Sequence, residues 1–324
     1  MEPNNIVDAV KEGSKFGTKL SEIALKIYGP RATKKQADAD AYADARKLQT
    51  IRDNPDMEIV YIDGKINARS KTPDVLASFA GQRQLQESIR QERNIETIFE
   101  LAAETTTDKD QVADEEVDDD WVIRFFDYAK DINDENMQLL WGKILSEEIK
   151  KPRSFSLRTL DIVRNISKEE ALLFQKILPL VLCTGKDEYI LYDESILKEY
   201  GVNYGDIISL EDCGLMNSSG VQLTLNVTDT YRLVFHNIDH AVMYKEENAG
   251  KGEDKIRFSM YSLTTAGKQI KKALMYDSNL EYLVKAAKEV RKMNNNIVLG
   301  IHKTELNSNG DLVCREEPVM TLSD

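Results

Sequence analysis

The chain has 324 residues, 41% of them hydrophobic and 31% charged, with 56 acidic against 43 basic side chains and a formal net charge of −13. That apolar content supports one or two substantial cores and excludes an intrinsically disordered chain. The acidic balance disfavours nucleic acid or an anionic membrane as a partner for the surface as a whole, while leaving room for a local basic patch.

No window approaches the run of about 18 apolar residues that crosses a bilayer, and the first residues lack the apolar stretch of a signal peptide, so a cytoplasmic location is expected. Cys183, Cys213 and Cys314 lie far apart. They offer neither a metal-binding pair nor a disulfide framework and read as small buried apolar residues.

At the start of the chain Ile6, Val10, Gly13, Gly17, Leu20, Ala24 and Ile27 recur in steps of four and three, and Phe16 and Ile23 widen the stripe. This is helical spacing. Gly29-Pro30 stops the helix, because proline disfavours helix at the residue before it and donates no backbone hydrogen bond. The small residues Gly13 and Gly17 admit another helix closely; the expectation is packing against protein, and the alternative is contact of residues 6–28 with a membrane surface. From Arg31 to Asp53, Ala37, Ala41, Ala45 and Leu48 share one face of a slim helix. Residues 1–53 therefore read as a helical hairpin suited to self-association, closed by Asn54-Pro55.

Residues 54–117 read as a linker strand and a long helix with an acidic loop. Met57 to Ile62 is the strand, Asp63-Gly64 the turn, and a helix runs from Asp74 to Glu104 with Ile89, Ile95, Ile98, Phe99 and Ala102 as its apolar face. The acidic run from Asp108 to Asp120 could gather a divalent cation but lacks a glycine-centred ligand loop. An aspartate directly before an apolar helix caps its free N–H groups, and the run is read as cap and solvated loop.

Residues 118–182 read as a tryptophan-containing helical bundle. Trp121, Phe125, Tyr128 and Ile132 share one face of a helix, and Asn133 caps the next, which carries Met137, Leu140, Trp141, Ile144, Leu145 and Ile149. Pro152 breaks it, Ser156 caps Leu157 to Asn165, and Ser167 with Glu170 forms a capping box for a helix through Leu182.

Beyond this point short helices at Glu194–Tyr200 and Tyr204–Cys213 follow an extended Tyr189–Leu191. Strand-like runs come next at Val221–Val227, Tyr231–Tyr244 and Lys255–Leu263, with a tip at Glu246–Asp254, and "SLTTAGKQI" enters another helix. That order predicts a winged-helix-like domain over 183–293, ending in a helix from Asn279 to Met293. Residues 294–324 read as a small terminal hairpin around Asn309-Gly310, or a tail. The expected fold is mainly α with a C-terminal α+β part.

The sequence contains no phosphate-binding loop, dinucleotide fingerprint, HExxH or GxSxG motif. His236 and His240 fall in one predicted strand on one face, but two ligands without a third make a poor zinc site. No catalytic, cofactor-binding or metal-binding residue is assigned. The candidate recognition helix, Tyr204 to Cys213, carries Asp206, Glu211 and Asp212 and no Lys or Arg, and would repel a phosphate backbone. A more basic stretch spans 143–168, where Lys150, Lys151, Arg153 and Arg158 bracket Pro152. Together with Trp121 and Trp141 these are the candidate interaction residues, and the stretch reads either as a solvated helix end or as a site for a phosphate-rich ligand or partner.

The segments "QERNIETIFELAAE", "DDDWVIRFFDYAKDINDENMQLLWGKILSEEIKKPRSFSLRTLDIVRNISKEEALLF" and "LTTAGKQI" resemble the uncharacterised bacterial domain-of-unknown-function family 2806 over about Gln91 to Met293. "NMQLLWGKIL" followed by a helix opening "ISKEEA" more loosely resembles the Abi-alpha abortive-infection family, which implies an anti-phage role. Neither family supplies a catalytic motif. The expectation is a non-enzymatic bacterial accessory or defence protein that works through protein contacts, and the alternative is a nucleic-acid-binding regulator using residues 143–168.

Overall fold

The computed structural model describes residues 14–28, 57–62, 65–70, 75–107, 111–227, 232–245, 255–295, 297–307 and 312–323. The predicted helix over 31–53, the turns at Gly29-Pro30, Asn54-Pro55, Asp63-Gly64 and Asn309-Gly310, and the tip at 246–254 lie outside these residues. The chain divides into two compact units, Met1–Ser154 and Phe155–Asp324.

The first unit contains α1 (Lys15–Tyr28), an antiparallel hairpin of β1 (Met57–Ile62) and β2 (Lys65–Ser70), and the helices α2 (Val75–Glu104), α3 (Asp119–Ala129) and α4 (Glu135–Lys150). Its helices begin where polar side chains satisfy free N–H groups. Asp118 accepts from Trp121 N, and Asp134, one residue after the expected Asn133, accepts from Asn136 and Met137 N, each cap contributing about 1 kcal/mol. α2 and α4 pack closely because Gly142 carries no side chain: a Cβ there would sit 2.8 Å from Leu101 Cβ. The core is aromatic at its centre. Phe125 stacks on Trp121 at 5.0 Å and meets Trp141 edge-on at 5.0 Å, while Phe126 stacks on Phe99 at 5.0 Å.

The second unit contains α5 (Leu157–Asn165), α6 (Lys168–Ile177), a 3-10 turn at Leu178–Leu180, β3 (Leu182–Thr184), β4 (Asp187–Leu191), α7 (Glu194–Glu199), α8 (Tyr204–Asp212), β5 (Met216–Asn226), β6 (Leu233–His236), β7 (His240–Tyr244), β8 (Lys255–Leu263), α9 (Thr265–Ala273), α10 (Leu280–Met293), β9 (Leu299–Leu306) and β10 (Leu312–Leu322). The predicted cap at Ser156 and the capping box of Ser167 with Glu170 are present, and Asn279, expected as the first residue of the last helix, is its cap. β3 to β10 form one eight-stranded antiparallel sheet in the order β10-β9-β7-β6-β3-β4-β8-β5.

This sheet overturns the winged-helix expectation. α6 stops at Ile177, and Pro179 sits in the 3-10 turn that follows. Leu182–Thr184 is thereby released to become a strand, turned into β4 through Gly185 at φ +59°. The run expected to be one strand from Tyr231 to Tyr244 is two, because Asn237 Oδ1 accepts from the backbone N of Asp239 (3.1 Å) and His240 (2.8 Å) and folds a tight turn. The terminal hairpin is no separate appendage: β9 pairs with β7, Val242 opposite Ile301, and carries β10 beyond it. Short strands of three to five residues give too few alternations to show a period of two, and pairing between distant segments leaves no local mark.

Side chains lock this sheet to its helices. Tyr282 on α10 is fully buried and its hydroxyl accepts Leu191 N at 2.8 Å. Asn294, just past α10, accepts Arg257 N and donates to Arg257 O, both at 2.9 Å, so its amide stands where a neighbouring strand would.

Candidate functional site

The acidic stretch before α3 is partnered by α1. Lys15, Lys19 and Lys26 stand at helical spacing beside the buried Phe16, Leu20, Ile23 and Ala24. Lys15 Nζ lies 2.5 Å from Asp114, Lys19 donates to the Glu115 carbonyl, and Lys26 lies 2.7 Å from Asp119 and 3.7 Å from Glu116. The Asp119 carboxylate raises the Lys26 pKa above its ordinary value, and Lys15 holds that of Asp114 below its own. From α4, Lys150 O accepts Ala113 N at 2.9 Å. The expected cap at Asp118 is present, and the exposed loop before it is ordered by the three-lysine face of α1.

Beside this contact lies an open groove of about 1070 Å³. Its apolar lining comes from Leu25 and Ile27 on α1, Ile95 on α2, and Val122, Ile123 and Phe126 on α3. Its rim holds Glu22, Glu116, Asp119 and Asp127 against Lys26 and Lys130. Leu25 is 53% exposed and Ile123 68%. Each sits off the main apolar stripe of its helix, so a search for stripes passes over them. The volume exceeds the roughly 300–1,000 Å³ of ordinary small-ligand sites, and no focused set of polar groups orients a small molecule.

The residues picked from the sequence divide by role. Trp121 and Trp141 are 4% and 0% exposed and belong to the aromatic core, where the Trp141 indole N–H has no hydrogen-bond partner among the described residues. In the first unit Lys150 pairs with Glu147 at 3.0 Å, Arg153 with Glu115 at 3.1 Å, and Lys151 is exposed. Arg153 adopts φ +68°, and its N–H is held at 2.6 Å by the buried Glu148 carboxylate, which shapes the turn that throws the guanidinium outward. Arg158 is exposed on the second unit. The basic stretch thus straddles the two units, and of the four candidate cations Lys150 and Arg153 are paired with acids.

The histidines are separated by the turn between them: His236 ends β6, with Nδ1 2.9 Å from Asn237 O, and His240 begins β7, where burial lowers its pKa. Among the described residues no group of three or more His, Cys, Asp or Glu is placed to hold a metal ion. Of the acids on the predicted recognition helix, Asp206 completes a capping box with Asn203, and Glu211 accepts from Ser218 N and Oγ, which depresses its carboxyl pKa. No helix among the described residues is long and apolar enough to cross a membrane.

No curated protein and no solved structure matches the chain. One family model does, over residues 79–286, from the long helix α2 through the aromatic core of the first unit to α10 of the second, and the chain therefore belongs to the family described as protein of unknown function DUF2806.

Proposed function

We propose that the protein acts by contact rather than catalysis, its first unit receiving an amphipathic helix of a partner protein in the groove between α1 and α3. The observation that carries this reading is the pair of exposed apolar side chains, Leu25 and Ile123, facing an apolar floor inside a rim with four acids and two lysines. Apolar anchors enclosed by a polar rim match the anatomy of a helix-in-groove site, and the excess of acids selects a helix whose flanks are basic. Because α1 is tied to the acidic stretch by Lys15, Lys19 and Lys26, the groove is preformed and a ligand loses little to its ordering.

The test uses a fluorescein-labelled designed helix of Leu and Lys and a matched helix of Leu and Glu, followed by anisotropy. The Lys helix should bind saturably, the Glu helix should not, and Leu25→Ser with Ile123→Ser should weaken binding about tenfold or more. Equal binding to the double variant, or none at low salt, sinks the proposal.

A setting in bacterial phage defence rests on the Abi-alpha likeness of "NMQLLWGKIL" and "ISKEEA" alone. Plating a phage panel on cells with the gene, without it, and with the double serine variant tests both ideas together. Protection lost in the double variant supports defence through this groove, and no protection from any phage removes the defence setting while leaving the groove to the peptide assay.

A further inference from the structure

The two edges of the second unit's sheet are built differently. β10 carries Arg315, Glu316, Glu317 and Pro318 along its length, the charges and proline that keep an edge strand from pairing with another chain. β5, at the opposite edge, has none of these. Its eleven residues, MNSSGVQLTLN, sit inside an uncharged run from Cys213 to Thr228 in a chain that is 31% charged.

The hydrogen-bond pattern shows which backbone groups of β5 point outward. Thr224 stands opposite Arg257 of β8, yet Arg257 spends both its N–H and its C=O on the Asn294 amide, on the side away from β5. Thr224 and Arg257 are therefore a non-hydrogen-bonded pair, and the N–H and C=O of Thr224 face away from β8. Gln222 and Asn226, two residues to either side, share that direction. Gln222 stands opposite Ser259, whose carbonyl accepts Tyr192 N at 2.9 Å on the far side of β8, consistent with this pattern. Among the described residues no backbone group takes up this outer row. On the other face, Val221 is 46% exposed and Leu223 half-buried, although they alternate in phase with the buried Leu225. They are positions that a further strand would cover.

We infer that β5 pairs with β5 of a second copy of this chain, antiparallel, about a two-fold axis through Thr224. In that register Thr224 meets Thr224 of the second copy and Gln222 meets Asn226 in both directions, each pair exchanging the outward N–H and C=O groups. The absence of charge is what makes a two-fold contact tolerable, since any ionised residue at the axis would face its own copy. A strand pair alone covers less than the roughly 1,200–2,000 Å² of a stable interface, so the dimer is weak and concentration-dependent.

The test is sedimentation equilibrium of the full chain from low to high micromolar concentration. Wild type should pass from monomer to dimer, and Thr224→Lys should weaken the association about tenfold or more. Thr224→Pro should do the same, since it removes an outward N–H and leaves the bonds to β8 in place. Val319→Lys on β10 should change nothing. An equimolar mixture of Thr224→Lys and Thr224→Glu should restore the dimer, an outcome that misfolding of either variant cannot produce. A wild type that stays monomeric throughout overturns the proposal, as does a dimer indifferent to Thr224→Lys. Neither result bears on the peptide binding expected of the groove.

Discussion

In the first unit, helices satisfy their own backbones, and polar side chains serve mainly at ends and loops: Asn94 donates to Lys130 O, Gln138 to Ile132 O, and Glu148 receives Arg153 N. In the second unit, buried side chains hold strands: Tyr282 receives Leu191 N, Thr184 donates to Val234 O, and Asn294 embraces Arg257. The difference teaches where each unit is fragile. A helix bundle depends on the volume of its core, whereas a sheet of short strands depends also on a few buried hydrogen bonds that decide which segment lies beside which.

Both tryptophans, Trp121 and Trp141, lie in the first unit, so their fluorescence reports on that unit, while hydrogen exchange follows the sheet. The largest effect is expected for Phe125→Ala, which leaves both reporters in place but empties the centre of the aromatic cluster. It should cost about 3–5 kcal/mol in a urea unfolding curve read by fluorescence, with β3 to β8 keeping their exchange protection. A loss of protection in the sheet as well would show that the two units unfold together and break the comparison.

Next comes Asn294→Ala, which strands the Arg257 N–H and C=O and the anchor to Val290 O. A cost of roughly 1–3 kcal/mol is expected, read as faster exchange along β8 and α10 with the fluorescence midpoint unmoved. Asp118→Ala should lower the fluorescence midpoint by about 1 kcal/mol through the lost cap on α3. The smallest effect concerns acid. Burial holds the His240 imidazole below its ordinary value of 6.5, so the unfolded chain binds the extra proton first. The stability this neutral imidazole confers is complete above 6.5 and is lost as pH falls through the lowered folded value. Exchange of β6 and β7, corrected for the intrinsic rate, should therefore lose protection as the pH falls below the ordinary value of 6.5, and His240→Gln should flatten that change.

Local signals are legible in the sequence. The caps at Asp118 and Ser156, the capping box at Ser167 and most core positions of α2, α3 and α4 depend on residues within four positions of each other, while Ile89, expected on the apolar face of α2, is exposed. The groove was not legible, because Leu25 and Ile123 are isolated apolar residues that acquire meaning only when α1 and α3 lie side by side. The tryptophans named as interaction candidates lie in the core for the converse reason: large aromatic residues on a wide apolar face are drawn inward by the area they bury.

The sequence by itself determined where several helices begin, most of the apolar positions of α3 and α4, and which family the chain resembles, since these depend on caps, helical periodicity and recognisable segments. Only the tertiary structure decided that β3 to β10 form one sheet, that three lysines order an acidic loop, and that one edge of the sheet is left uncharged and open. Each of these joins residues dozens of positions apart, where hydrogen bonds between strands and pairs between charges obey geometry in space and leave no period in the chain.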